Sequence, residues 1–255
     1  MKCLKSVKTL IQTISGLAIF LFAAHLYADP TAFDIIKKMH EKMEGRTAIA
    51  RMEITITRPR FTRTLLLDSW SDTNQNRSFI RILQPKKDSG IAFLKWDTNL
   101  WQYIPRIGKE IKIEGSLMHD SWMGSDFSND DLVNASSVVD DYTHKLLPSK
   151  SQEIYRIELK PKPTATVVWE RVVMELRKHD YLPVSQEFYD HKNRLAKRME
   201  FSNYRKLGNR VIPATFVMHT IKNDKTISST TMNYISATFD TKIPNHIFSK
   251  SNLHR

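Results

Sequence analysis

The sequence predicts a mainly β protein: a single strongly curved antiparallel sheet, or incomplete β-barrel, with an N-terminal helix and a helical and loop insert covering its cavity. Roughly ten to thirteen segments alternate apolar and polar side chains, and polar turns separate most of them. Only two segments have helical spacing. Because strand twist accumulates along so many consecutive hairpins, we expect the sheet to curl toward a barrel. A two-sheet sandwich is the alternative fold.

The first 28 residues have the pattern of a secretory signal peptide. Three lysines precede an apolar run over residues 10–24, and cleavage near Ala28 would leave one mature domain, residues 29–255. The run is shorter than the roughly 20 apolar residues that a bilayer span needs. Cys3 is the only cysteine, so we expect neither a disulfide nor a thiol-bound metal in the mature chain. The expected location is a bacterial periplasm.

The mature chain is predicted to begin with one amphipathic helix. Asp29 and Pro30 suit the N-cap and the first helical position. Apolar side chains then recur at helical spacing from Phe33 to Met43, and Gly45 ends the segment.

From residue 47 the apolar period changes to two, which is typical of a strand with one apolar face and one solvent face. Met52, Ile54 and Ile56 form the apolar face, so we expect them to line the cavity. Further strands are predicted at residues 62–70, 77–83, 90–96, 100–104 and 110–113.

A hairpin rich in aromatic side chains is predicted at residues 90–104. Its two apolar runs are divided by the polar turn of residues 97–99. Trp96, Trp101 and Tyr103 lie in this hairpin and are candidates for contact with an apolar ligand.

Residues 118–127 show neither a helical nor a strand period, yet they include Met118, Trp122, Met123 and Phe127. A loop of this composition is normally avoided on a solvated surface. We therefore expect it either to pack down as a plug of the core or to cover an apolar site.

A short helix is predicted to follow this loop. Ser128 and Asp131 have the spacing of a capping box, so the helix begins there and runs to about Ser136. Alternating strands then resume, for example at residues 155–159, 172–176 and 212–218.

The mature chain is strongly basic. Its formal net charge falls from +12 to +9 when the three lysines of the leader are removed. The basic residues stand in small groups along the sequence: Arg58, Arg60 and Arg63; Lys86 and Lys87; Lys192, Arg194, Lys197 and Arg198; Arg205, Lys206 and Arg210. They form either a solvated basic face or a surface for anionic membranes or lipid headgroups. Nucleic acid is not an expected partner of an exported protein.

No set of residues has the pattern of a catalytic or metal site. The mature histidines lack metal-ligand spacing, and Ser125 lacks the glycine two residues further on that a nucleophile elbow needs. Asp126, Asp130 and Asp131 lack the glycine and glutamate of a calcium-binding loop. We therefore predict no catalytic residue, no metal and no cofactor. A lipid or glycan hydrolase centred on Ser125 or on the three aspartates is the alternative.

The remaining signal is an excess of methionine and aromatic side chains on a β scaffold. Methionine adapts to irregular apolar shapes, so this composition suits either a ligand cavity or an ordinary core. The candidate ligand-binding residues are Met52, Ile54, Ile56, Trp96, Trp101, Tyr103, Met118, Trp122, Met123 and Phe127.

Three segments carry a resemblance to a known family. They are Leu-Trp-Gln-Tyr-Ile-Pro at residues 100–105, Trp-Met-Gly-Ser-Asp-Phe-Ser-Asn-Asp-Asp-Leu at 122–132 and Ile-Pro-Asn-His-Ile-Phe-Ser at 243–249. With these segments the chain resembles the bacterial outer-membrane lipoprotein-sorting proteins, which share the LolA and LolB type of fold. The resemblance covers essentially the whole mature chain.

The resemblance implies an incomplete barrel closed by helices around an apolar cavity for acyl chains. It implies a periplasmic carrier of lipid or lipoprotein that works toward the outer membrane, without enzymatic activity. It also implies an inner-membrane transporter of the resistance-nodulation-division type as a partner. A lipid-sensing regulatory protein without transport needs the same cavity and is a second alternative.

Residues 118–127 are predicted to act as a mobile lid, with Gly124 supplying the backbone freedom. Their side chains would fill the empty cavity and repack when an acyl chain enters, because a large empty cavity is unfavourable. In that case Trp122→Ala weakens lipid retention more than it lowers stability. A static plug makes the opposite prediction.

Overall fold

The computed structural model describes residues 29–134, 138–165 and 167–255. The predicted signal peptide with Cys3, and the predicted helix end at Ser136, lie outside the described residues. No helix within the described residues is both long and apolar enough to cross a membrane.

Thirteen strands form one antiparallel sheet, in agreement with the expected meander. The strands are β1 (Thr47–Arg58), β2 (Phe61–Asp72), β3 (Arg77–Gln84), β4 (Ala92–Trp96), β5 (Asn99–Ile104), β6 (Lys109–Ile113), β7 (Tyr142–Leu147), β8 (Ile154–Pro161), β9 (Arg171–Arg177), β10 (Pro183–Tyr189), β11 (Leu195–Leu207), β12 (Arg210–Lys222) and β13 (Lys225–Phe239).

The sheet consists of two meanders joined at their long strands. Its order is β6-β5-β4-β3-β2-β1-β13-β12-β11-β10-β9-β8-β7, so β1 pairs with β13 in the middle. The edge strands β6 and β7 do not pair with each other, and the barrel is therefore incomplete. The prediction of one unclosed curved sheet is confirmed, and the two-sheet sandwich is wrong.

The N-terminal helix α1 (Ala32–Glu44) is confirmed, but it begins later than predicted. Thr31 is the N-cap, because its hydroxyl accepts from the Asp34 amide at 3.2 Å. The Asp34 carboxylate in turn accepts from the Thr31 amide at 3.2 Å, and the two contacts form a capping box. Asp29 and Pro30 therefore precede the helix. Gly45 ends it at φ 66°, a left-handed conformation that glycine adopts easily.

Two apolar clusters fill the inner face of the sheet. On one half, the buried face of α1 packs against β7 to β10 and β12. On the other half, Trp122 of the insert between β6 and β7 packs against β1 to β5, β12 and β13. The insert contains two 3-10 turns (Gly115–Leu117 and Trp122–Gly124) and the short helix α2 (Asn129–Asn134).

A third apolar cluster lies on the outer face of β3 and β4. It is covered by the C-terminal segment, a 3-10 turn (Asn245–Phe248) followed by helix α3 (Lys250–Leu253). The sheet is thus buried on both faces in this region.

The turns of the meander alternate between two rims of the sheet. The turns that follow β1, β3, β5, β8, β10 and β12 lie at one rim, which we call the basic rim. The turns that follow β2, β4, β7, β9 and β11 lie at the opposite rim, beside the end of α1.

Candidate functional site

Two adjoining cavities lie between the inner face of the sheet, α1 and the insert. The first, of about 250 Å³, is next to α1, and the second, of about 360 Å³, is next to Trp122. They share six lining residues: Met43, Glu44, Phe127, Asp131, Met199 and Phe216. Because four of these are flexible or aromatic apolar side chains, the boundary between the cavities can be moved by changes of rotamer.

Methionine is concentrated at these cavities. Seven of the ten methionines line one or both of them: Met39, Met43, Met52, Met174, Met199, Met218 and Met232. Met118 and Met123 of the insert pack against the adjoining core. The tenth is Met1, outside the described residues. Such a distribution gives the cavity a wall that adapts to irregular apolar shapes.

The structure brings seven of the ten candidate ligand-binding residues together at this site. Met52 and Ile54 line the second cavity, and Ile56 lies beside them in the buried core. Trp122 and Phe127 line the second cavity as well, and Phe127 also lines the first. Met118 and Met123 pack against the same core.

The other three candidates lie on the outer face of the sheet. Trp101 and Tyr103 pack against the third apolar cluster, beneath the C-terminal segment. Trp96 is exposed on the same face and borders a surface groove with Trp101 and Phe248. Side chains alternate between the two faces along β4. Phe93 and Lys95 point inward, so Leu94 and Trp96 point outward.

The insert is a compact loop held by its own backbone. Ser121 and Ser128 form an antiparallel bridge, and the Trp122 amide donates to the Phe127 carbonyl at 2.8 Å. Met123 and Gly124 have φ values of 52° and 77° at the tip, where glycine is favoured and methionine is strained. The predicted capping box is confirmed, since the Ser128 amide donates to the Asp131 carboxylate at 2.7 Å.

Asp126 fixes the insert to the basic rim of the sheet. Its side chain is only 1% exposed. It accepts hydrogen bonds from the hydroxyls of Thr220 at 2.5 Å and Thr230 at 2.7 Å, and also from the hydroxyl of Ser228. Arg58 donates to the same carboxylate at 2.8 Å and, with its other terminal nitrogen, to the Gly124 carbonyl at 2.7 Å.

This environment explains the acidity of Asp126. Burial alone would raise the pKa of its carboxyl, but the hydrogen bonds from Ser228, Thr220, Thr230 and Arg58 together lower the pKa below its usual value. Asp126 is therefore a charged structural anchor.

Ser125 is occupied by the backbone of the same loop. It is buried, and its hydroxyl donates to the Phe127 carbonyl and accepts from the Phe127 amide. Among the described residues, no group of three or more His, Cys, Asp or Glu side chains could hold a metal ion.

Two charged residues at the second cavity were missed by the sequence analysis. Lys95 on β4 is buried, and Glu44 at the end of α1 lines both cavities. Burial lowers the pKa of Lys95 and raises the pKa of Glu44, since each loses hydration. The sequence contained one sign that Lys95 faces the cavity: it stands at an inward-facing position of β4, between the outward-facing Leu94 and Trp96.

Three of the solved structures that have the same fold are bacterial proteins. A DUF1329 family protein from Desulfovibrio piger has a TM-score of 0.79 at 23% identity, covering 87% of this chain and 97% of its own. A domain described as an outer membrane lipoprotein-sorting protein, from Vibrio parahaemolyticus, has a TM-score of 0.76 at 25% identity, with coverages of 88% and 98%. A LolA superfamily protein from Nitrosomonas europaea has a TM-score of 0.72 at 20% identity, with coverages of 88% and 99%.

These similarities, together with the unclosed sheet and its covered cavity, define the chain as a protein with the LolA type of fold. A family model described as "uncharacterized protein" matches residues 74–255, most of the chain. The chain belongs to this DUF1329-like family. A comparison with curated proteins found no match.

Proposed function

We propose that the protein is a periplasmic carrier that shields the acyl chains of a lipid or lipoprotein in its two cavities during transfer toward the outer membrane. The observation that carries this proposal is the apolar cavity pair with its methionine-rich wall. Burial of each methylene contributes about 0.8 kcal/mol, so even a partly buried chain offsets much of the free energy needed to leave a bilayer. The neighbour described as a lipoprotein-sorting domain supports this class of cargo.

The proposal includes the insert as a lid. Trp122 and Phe127 border the second cavity, so displacement of the insert would join that cavity to solvent at the basic rim. Polar contacts hold the tip of the insert: Arg58 contacts the Gly124 carbonyl and Asp126, three hydroxyls of β12 and β13 donate to the Asp126 carboxylate, and Arg63 donates to the Met123 carbonyl at 3.3 Å. An element held by polar contacts at its tip, over an unfilled cavity, is suited to open as a unit.

An anionic membrane surface is the proposed docking partner. Three of the four basic groups, separate in the sequence, lie toward the basic rim, whereas Arg205, Lys206 and Arg210 lie toward the opposite rim. Eight exposed cations at the basic rim form no ion pair with a described residue: Arg60, Lys86, Lys87, Arg106, Lys109, Lys192, Lys222 and Lys225. Phe61, Ile107 and Ile227 stand among them with 55, 54 and 45% exposure. Cations outnumber carboxylates in the turns of the basic rim, where Asp88, Glu170, Asp190 and Asp224 also lie, but they do not in the turns of the opposite rim. Exposed apolar tips surrounded by cations are suited to the interface of an anionic bilayer.

Reversal of charge at the basic rim tests this docking. The triple variant Arg60→Glu, Lys222→Glu and Lys225→Glu is expected to bind anionic vesicles at least about a hundredfold more weakly, since each cation contributes about 1 kcal/mol. The measurement is co-sedimentation with vesicles containing phosphatidylglycerol, at low and at high salt. The control Lys37→Glu, Lys150→Glu and Lys206→Glu makes the same change in net charge away from this rim. Equal weakening by both triple variants would contradict a specific docking rim.

An inner-membrane transporter of the resistance-nodulation-division type is the proposed source of cargo, by extension from the family resemblance. We propose no enzymatic activity, because the Ser125 hydroxyl bonds to backbone and the Asp126 carboxylate holds the insert. Hydrolysis of a lipid ester that disappears in Ser125→Ala would favour the hydrolase alternative.

Obstruction of the cavity tests the carrier function itself. Met199 lies at the boundary of the two cavities, so Met199→Trp is expected to reduce bound acyl ligand at least about tenfold by filling space that the ligand needs. The free energy of unfolding should change by less than about 1 kcal/mol, because the added ring enters an existing cavity. The measurement is mass spectrometry of lipid that copurifies with the protein. Met199→Leu preserves the volume and is expected to retain ligand.

If Met199→Trp carries as much lipid as Met199→Leu and the wild type, the ligand does not occupy these cavities.

A further inference from the structure

The polar side chains of the second cavity are concentrated at one end. Backbone register places Ser71, Ser78 and Lys95 side by side on β2, β3 and β4, and their side chains face inward. Ser69 follows one step further along β2. These four residues lie toward the opposite rim, whereas Ile54 and Leu67 form the wall toward Trp122. The cavity therefore has an apolar part under the insert and a polar end far from it.

Lys95 is the charged group of this polar end. Its ammonium donates one hydrogen bond, to Asn76 Oδ1 at 2.6 Å, and forms no ion pair with a described carboxylate. An ammonium has three donors, so the Lys95 site leaves donor capacity facing the cavity. A buried cation with an incomplete set of partners is unfavourable. The second cavity thus offers a site at which an anion would be stabilised.

None of the three carboxyls that line the second cavity forms an ion pair with Lys95. Asp72 is paired with Arg77 at 3.0 Å. Asp131 caps α2 and lies 3.6 Å from Lys197. Glu44 also lines the cavity, and the basic side chain within 4.0 Å of its carboxylate is His40. The geometry therefore leaves the Lys95 ammonium without a paired carboxylate among the described residues.

We propose that Lys95, assisted by the hydroxyls of Ser71 and Ser78, binds the anionic headgroup, a carboxylate or a phosphate, of the lipid whose acyl chain fills the cavities. This assignment rests on the proposed carrier function and adds the class of headgroup to it. The three hydroxyls of Ser69, Ser71 and Ser78 have no hydrogen-bond partner among the described residues, so they are free to donate to headgroup oxygens.

The position of the site also fits extraction from a membrane. A lipid leaving a bilayer on which the basic rim is docked enters the protein with its headgroup first. Its headgroup then reaches the end of the cavity furthest from the bilayer, where Lys95 lies. The acyl chain remains behind it, under Trp122 and Phe127. The polar end of the cavity and the basic rim therefore lie at opposite ends of the protein, as this direction of entry requires.

Matched ligands and variants test the assignment. Hexadecanoic acid, hexadecyl phosphate and the uncharged methyl ester of hexadecanoic acid have the same chain and differ in headgroup. Their dissociation constants are measured by calorimetry for the wild type, Lys95→Met, Lys95→Arg and Ser78→Ala. Lys112→Met, an exposed lysine on the edge strand β6, is the control for loss of one positive charge. Inorganic phosphate alone is titrated in parallel.

Lys95→Met is expected to weaken binding of the two anionic ligands roughly tenfold to a hundredfold, as for a lost hydrogen bond to a charged group. Binding of the methyl ester should be unchanged, Lys95→Arg should restore most of the anion affinity, and Ser78→Ala should cause a smaller loss. The tighter of the two anionic ligands identifies a carboxylate or a phosphate headgroup.

Equal loss for acid and ester, or no loss for either, would overturn the headgroup site while leaving the carrier function in place. Binding of inorganic phosphate as tight as that of hexadecyl phosphate would show a free-anion site and would also overturn it. If no chain-bearing ligand binds the wild type, the carrier function fails together with it.

Discussion

Replacement of Asp126 by alanine is expected to lower the free energy of unfolding by about 3 to 5 kcal/mol, the range for breaking a buried ion pair by removing one partner. The change would leave the partly buried guanidinium of Arg58 without its carboxylate, and the hydroxyls of Thr220, Ser228 and Thr230 without their acceptor. Urea unfolding at neutral pH measures the difference. Asp120→Ala, at an exposed position six residues earlier, should change stability by less than about 0.5 kcal/mol.

The pH dependence provides a second check on Asp126. Because its pKa is lowered in the folded protein, its contribution is fully present above the pKa of the unfolded chain and is lost as pH falls through the folded pKa. The difference between wild type and Asp126→Ala should therefore be constant near neutrality and shrink only in acid. A variant within about 1 kcal/mol of wild type at neutral pH would show that the anchor is not structural.

Replacement of Trp122 by alanine is expected to weaken retention of a bound acyl chain at least about tenfold, while stability falls by less than about 3 kcal/mol. Trp122 is 2% exposed and packs on Phe93 with ring centroids 5.6 Å apart. Two features limit the loss of stability. The indole borders a cavity into which Phe127 can relax, and its buried Nε1 has no hydrogen-bond partner among the described residues.

The alternative for Trp122 is a static plug. In that case Trp122→Ala lowers the free energy of unfolding by about 3 to 5 kcal/mol as a core truncation, and ligand binding changes only through partial unfolding. Parallel urea unfolding and ligand dissociation measurements separate the two cases. Trp122→Phe retains an apolar ring and serves as the control. The fluorescence of Trp122 is expected to change when lipid is added. Comparison of the wild type with Trp122→Phe separates this change from that of the other tryptophans.

The architecture was largely predictable from local patterns. A period of two over most of the mature chain, as at Met52, Ile54 and Ile56, indicated a long antiparallel meander, and strand twist indicated its curvature. The turn at Asp97 and the capping box of Ser128 and Asp131 were also correct, because each depends on neighbouring residues. The start of α1 was displaced because Thr31 and Asp34 form a stronger cap than Asp29 provides.

The site was only partly predictable, because its assembly depends on contacts between distant segments. The sequence marked Trp101 and Tyr103 as candidates for contact with an apolar ligand but did not show on which face of the sheet they lie. The C-terminal segment covers them on the outer face. Nothing local connects Asp126 with Arg58 or with Thr230, 68 and 104 residues away. Three of the four basic groups also become one surface only when the turns of alternate hairpins meet at one rim.

A cross-link that holds the insert closed tests most directly whether cargo enters beneath a lid. The Asp126 amide nitrogen lies 2.9 Å from Thr230 Oγ1, so Asp126→Cys with Thr230→Cys places two thiols within reach of each other. The predicted mature chain has no other cysteine. Uptake of a fluorescent acyl ligand is compared between the oxidised and reduced forms of this double variant and the wild type, because the substitution of Asp126 itself removes the anchor of the insert. We expect the oxidised form to take up ligand at least about tenfold more slowly than the reduced form, because a disulfide prevents lid opening; equal uptake by the two forms would contradict the account.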